Sequence, residues 1–115
     1  MVDYRFSYLL TALILIFFLW VHSVLGVEAD PGEGKVVYEM KCLTCHGPKG
    51  KGDGPTGKFL MPPPGNLTTA GAKSAEELRN TIRNGRAGTG MPPFRGILSE
   101  KEIEDVLAYV RTLAN

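Results

Sequence analysis

CLTCHGPKGKGDGP, Cys42 to Pro55, places two cysteines three positions apart, sets a histidine directly after the second, and runs on into glycines and lysines. The chain has no other cysteine. Upstream, Val36, Val37, Met40 and Leu43 recur at helical spacing, so a helix beginning near Gly34 is expected to run into the motif. Downstream, the stretch from Gly47 to Gly71 is rich in glycine and proline, contains PPPGN, and reads as a long ordered loop. A loop of that length in a small domain needs something to pack on.

Two further helices are legible beyond the loop. Ser74-Ala-Glu-Glu77 has the form of a capping box, Leu78 and Ile82 follow on one side, and Asn84-Gly85 supplies a stop. Ser99-Glu-Lys-Glu102 opens the last helix in the same way, and Ile103, Val106, Leu107, Val110 and Leu113 form its apolar stripe. No alternating strand pattern and no internal repeat is present, so the expected fold is all-α with loops.

With 13 Lys+Arg against 12 Asp+Glu in 115 residues, the chain lacks the basic excess of a dedicated nucleic-acid binder. The N-terminal part differs sharply from the rest. LLTALILIFFLWVHSVLGV, Leu9 to Val27, carries no Asp, Glu, Lys or Arg. As a helix, Tyr8 to Val27 would reach about 30 Å, the thickness of a hydrocarbon core. A retained anchor is the expectation; the alternative is a signal sequence cleaved near Val27-Glu28-Ala29. Arg5 before the segment and Glu28, Asp30 and Glu33 after it place the remainder outside the cytoplasm under either reading. His22, near the outer end, fits a neutral imidazole in the headgroup region better than a ligand. Residues 1–29 are thus expected to form an anchor or signal sequence, and residues 30–115 the functional domain.

That domain is small enough to need a bound group to complete its core. Three readings of the cysteine motif differ in what they require of its surroundings. A redox dithiol would need a βαβ context that the helical patterns do not provide. Structural zinc fails on ligand number, because only His22 remains outside the cluster. Covalent haem attachment uses every residue: each thiol adds to one vinyl group, and the imidazole of His46 falls beneath the iron. A porphyrin also supplies the apolar surface that the small core and the long loop require.

Cys42-Leu-Thr-Cys45-His46-Gly47, the loop GKGDGP, the Asn84-Gly85 helix end, GTGMPPF and the terminal AYVRTL together resemble the class I monohaem c-type cytochromes over Gly32 to Leu113. The resemblance implies three main helices and long loops around one covalent haem c, here preceded by a transmembrane helix. It matches Gly34, Tyr38 and Tyr109 to the small and aromatic residues where the first and last helices of such proteins cross. It also implies a proline carbonyl that orients the proximal histidine, for which Pro55 is the candidate.

The sixth iron ligand decides the chemistry, since a thioether opposite histidine favours Fe(II) and closes the iron to outside ligands. Met61 and Met91 both precede two prolines and so lie in extended chain. Met91 is expected to ligate, because it follows the middle helix and its Gly85 stop as the distal loop does in the family. Met61 is expected to pack softly against the ring. Lys49, Lys51 and Lys58, close to the attachment motif, could steer an acidic redox partner or simply keep the loop solvated.

The expected function is electron transfer by haem c cycling between Fe(III) and Fe(II), as a membrane-anchored carrier or subunit of a respiratory redox complex. The expected location is the inner membrane with the haem domain on the periplasmic side; after signal cleavage the protein would instead be soluble in the periplasm. A His-ligated peroxidase-like enzyme or gas sensor is the alternative if Met91 does not bind, and a chiefly structural subunit is a third possibility.

Overall fold

The computed structural model describes residues 4–24 and 28–114, with side chains described for 4–20 and 28–114. Five α-helices follow in order: α1 Tyr4–Val24, α2 Pro31–Lys41, α3 Leu43–His46, α4 Ala75–Asn84 and α5 Glu100–Thr112. Two 3₁₀ helices, Gly57–Phe59 and Leu67–Ala72, interrupt the expected long loop. The isolated bridge between Arg95 and Leu98 is the one β pairing among the described residues.

Helix α1 exposes Leu9, Leu13, Leu15, Phe17, Leu19 and Trp20 together with their neighbours, so its apolar character is not confined to one face. Among the described residues, no helix is long and apolar enough to cross a membrane. The His22 side chain and Val27 of the possible cleavage site lie outside the described residues.

Helix α2 begins at Pro31, before the expected start near Gly34, because the cap lies further upstream. Asp30 caps it, its Oδ1 accepting from Gly32 N–H at 2.7 Å and from Glu33 N–H at 3.4 Å, and Pro31 occupies the first turn, where a missing N–H costs nothing. The helix runs to Lys41, pauses for one residue at Cys42, and resumes as the single turn α3 that ends on His46.

Helix α5 carries a full capping box, with Ser99 Oγ accepting from Glu102 N–H and the Glu102 carboxylate from Ser99 N–H. The box at α4 closes on one arm only. Ser74 Oγ accepts from Glu77 N–H at 3.1 Å, but the Glu77 carboxylate turns to the ammonium of Lys73.

Helices α2 and α5 cross in close contact at Gly34. A Cβ there would stand 1.9 Å from the Asp105 carbonyl oxygen, so only glycine permits this approach. One turn along, the rings of Tyr38 and Tyr109 meet with centroids 5.1 Å apart and planes tilted by 59°. Val37, Tyr38, Ile103, Val106, Leu107 and Val110 bury the crossing, and Leu78, Phe94, Leu98 and Ala70 extend the core toward α4 and the second 3₁₀ helix. Arg79 of α4 makes a two-pronged ion pair with Glu104 of α5, and Arg83 pairs with Glu100.

Candidate functional site

Between α2–α3 on one side and the loops before and after α4 on the other lies a cavity of about 430 Å³. Part of its wall is the core itself: Tyr38, Leu78, Phe94, Leu98, Val106 and Val110 belong to both. Leu60, Pro62, Pro63 and Pro64 close it from the long loop, and Lys41, Lys73, Glu77 and Arg86 supply charge among the lining residues.

Cys42, Cys45, His46 and Met91 all line this one space. The first three are brought together locally by the turn Leu43–His46, in which His46 N–H bonds back to the Cys42 carbonyl at 2.8 Å. The glycine-rich stretch after the motif then folds against that turn. Gly52 N–H donates to the His46 carbonyl at 2.8 Å and Thr56 N–H to that of Thr44 at 2.9 Å. Gly57 comes so near that a Cβ would lie 2.0 Å from the Cys45 carbonyl oxygen. The glycines of this loop are therefore a means of close backbone packing behind the motif. From the other side, Tyr38 Oη donates to the Gly47 carbonyl at 2.6 Å, tying the crossing of α2 and α5 to the end of the motif. Burial pushes the pKa of that phenol upward, so it stays a donor.

His46 Nδ1 faces the carbonyl oxygen of Gly65 at 3.4 Å. A carbonyl only accepts, so the proton belongs on Nδ1 and the lone pair on Nε2. Burial lowers the pKa of the ring, against the opposing pull of the Gly65 carbonyl, and keeps the imidazole neutral. A neutral imidazole with a free Nε2 is a metal ligand with its tautomer set from behind. Burial, with a smaller contribution from Cys45, raises the free Cys42 thiol to about 11, which keeps it protonated until it reacts.

The expectation for Pro55 is corrected here. Pro55 is exposed and away from the cavity, because Gly54 and Thr56 are drawn back onto the motif backbone. The carbonyl that meets the ring comes from Gly65, ten residues later in the chain. Its position is held by neighbours: Asn66 caps the following 3₁₀ turn, and Leu67 N–H donates to the Gly50 carbonyl at 2.6 Å. A backbone carbonyl has no side-chain signature, which is why the residue was missed; the one available signal was the PPPGN stretch itself.

The two methionines are separated by the fold. Met91 is half-buried, packs against the core and lines the cavity, whereas Met61 is 89% exposed and does not. The expectation that Met61 packs inward is thus corrected: its neighbours Leu60 and Pro62 take the wall positions and turn it outward. Among the described residues no cluster of three or more His, Cys, Asp or Glu side chains is placed to hold a bare metal ion.

These residues fit a haem. Apolar walls suit the ring, two thiols stand beside a neutral imidazole, and a thioether lines the same space.

Residues 29–110 match the family described as "Cytochrome C oxidase, cbb3-type, subunit III". The chain is 37% identical over 84 residues to the cbb3-type cytochrome c oxidase subunit CcoP of Azospirillum brasilense, covering 70% of this chain. It spans 28% of that subunit's length. To cytochrome c6 of Rippkaea orientalis it is 30% identical over 103 residues, covering 85% of this chain and 84% of the relative. Among solved structures, the Kuenenia stuttgartiensis reducing HAO-like protein complex superimposes with a TM-score of 0.66 at 30% identity, over 76% of this chain and 44% of that one. On the family match and the haem-suited cavity together, the chain belongs to the class I monohaem c-type cytochromes, within the family described as cbb3-type subunit III, and is an electron-transfer protein carrying haem c.

Proposed function

We propose that this cytochrome is a one-electron carrier whose haem would be held covalently by Cys42 and Cys45, with His46 and Met91 as the ligands to its iron. Haem c supplies the exchange of a single electron between ferric and ferrous iron. The chain's part is to hold both ligands still, so that little rearrangement accompanies the change of charge, and to keep water from the iron with Leu78, Phe94, Val106 and Val110. The observation that carries the reading is that a neutral imidazole and one of the two candidate thioethers line the same apolar cavity.

The test is axial ligation in the purified ferric protein. A thioether-to-iron charge-transfer band is expected in the wild type and in Met61→Ala, and its loss in Met91→Ala. High-spin iron in the wild type, with ready binding of carbon monoxide or peroxide, would instead favour a haem enzyme or gas sensor.

The finer placement is part of the same proposal: residues 1–29 act as a retained anchor, and residues 30–115 form the haem domain on the periplasmic side of the inner membrane. The described side chains of α1 fall short of a span. The anchor reading rests on the uncharged run that continues in sequence to Val27. An anchor would hold the carrier near its donor and acceptor and raise their effective concentration. Intact mass of the membrane fraction is expected to equal the full chain plus one haem; a mass lacking the first residues, in the soluble fraction, would mean a cleaved periplasmic carrier.

For partners, a relative named as an oxidase subunit and a solved neighbour named as a protein complex support transfer to another redox protein. Lys49, Lys51 and Lys58 are exposed on the loop after the attachment motif and suit an acidic partner. Slower association at higher ionic strength is expected; a flat salt response would remove the steering role.

A further inference from the structure

We propose that Thr89 is a positioning residue for the sixth ligand, its hydroxyl fixing the backbone of Met91 so that the thioether is held toward the iron. The inference rests on the reading of Met91 as that ligand.

The segment from Gly85 to Met91 folds back on itself. Arg86 N–H donates to the Met91 carbonyl at 3.2 Å, and Thr89 N–H to the Arg86 carbonyl at 3.2 Å. The Thr89 hydroxyl then serves in both directions: it donates to the Arg86 carbonyl at 2.8 Å and accepts from Met91 N–H at 3.1 Å. Both backbone polar groups of Met91 are therefore bound inside its own loop.

The loop is in turn fastened at each end. Gly85 closes α4 with φ 67°, and its backbone lies so near Met91 and Pro92 that a Cβ would stand 2.7 Å from the Met91 carbonyl oxygen. After Met91, Phe94 N–H donates to the Ile82 carbonyl at 3.2 Å and Arg95 N–H to that of Arg83 at 3.0 Å. Among the described residues, Thr89 is the one side chain that hydrogen-bonds to Met91 itself. Both residues line the cavity.

Removal of the hydroxyl would leave the N–H of half-buried Met91 without its acceptor, a loss that the backbone can relieve only by moving. Because the side chain travels with the backbone, that movement loosens the thioether from the iron. A competing ligand then meets a weaker rival. Thr89→Val keeps the shape of threonine and lacks the hydroxyl, while Thr89→Ser keeps the hydroxyl.

The test titrates the purified ferric holoprotein with imidazole and follows the thioether-to-iron band. Thr89→Val is expected to bind imidazole about tenfold more tightly than wild type, with Thr89→Ser within about twofold of wild type. Equal imidazole affinity in Thr89→Val and wild type would overturn the proposal. Met91→Ala is run beside them: if it retains the band, the ligand assignment fails, a result distinct from failure of the Thr89 role. Should Thr89→Val yield no holoprotein, amide hydrogen exchange on the wild type decides. The Met91 amide is then expected to exchange more slowly than that of exposed Ala87, and equal rates would overturn the role.

Discussion

At Gly34 a single methyl group separates a close helix crossing from a steric clash. A Cβ would lie 1.9 Å from Asp105 O and 2.9 Å from Val106 N, and both neighbours are backbone, which cannot rotate aside as a side chain would. Gly34→Ala is therefore expected to cost about 3 kcal/mol of stability, at the upper end of ordinary overpacking, despite alanine's better helix propensity. Urea unfolding of the holoprotein reads this directly, and a stability equal to wild type would mean that the crossing can open without loss. The position was legible in the sequence only through family resemblance. Glycine near the start of a helix ordinarily reads as a weak helix former, and its purpose becomes visible when the other helix is in place.

The cap of α2 is tied to α5 by a hydrogen bond to a carboxylate as well as by packing. Asp105 is 3% exposed, accepts from Asp30 N–H at 2.8 Å, and pairs with the Lys101 ammonium at 2.7 Å. Burial would raise its pKa, but the Asp30 N–H and Lys101 outweigh burial and hold the carboxyl below its ordinary value. A group with a lower pKa folded than unfolded adds stability that is present above the unfolded value of about 4 and is lost as pH falls through the folded one. Asp105→Asn is thus expected to be roughly 2 kcal/mol less stable near pH 7, with the gap to wild type closing below about pH 4. Urea midpoints across that range are the measurement, and a gap independent of pH would exclude the carboxylate as its source. None of this was readable beforehand: Asp105 lies among Glu100, Glu102 and Glu104 in sequence, and only the crossing selects it for burial. The helices themselves were readable, since caps and apolar stripes act within one or two turns. Both 3₁₀ helices escaped notice because glycine and proline mark the end of a pattern more plainly than the start of another.

For the molecule as a whole, most of the buried core also lines the haem cavity, with Tyr38, Ala70, Leu78, Phe94, Leu98, Val106 and Val110 serving both. A chain without the group would have to leave about 430 Å³ unfilled or collapse into it. The Cys42→Ala/Cys45→Ala protein, prepared free of haem, is therefore expected to lose the cooperative melt of residues 31–112 and much of its helical circular dichroism. A sharp melt in that protein would show that the helices hold together without the ring.

Sequence alone determined that two thiols and an imidazole meet, because Cys42, Cys45 and His46 lie within five residues and are brought together by one turn of backbone, whatever the rest of the chain does. It also determined where α4 and α5 begin, for the same local reason, whereas α2 starts at Pro31, before the expected Gly34. The tertiary structure decided which of two Met-Pro-Pro segments faces the cavity and that the carbonyl behind His46 belongs to Gly65. Those choices depend on how a long loop with two 3₁₀ turns lies over the site. That path is set by glycine-mediated backbone contacts between residues far apart in the chain, which no spacing rule encodes.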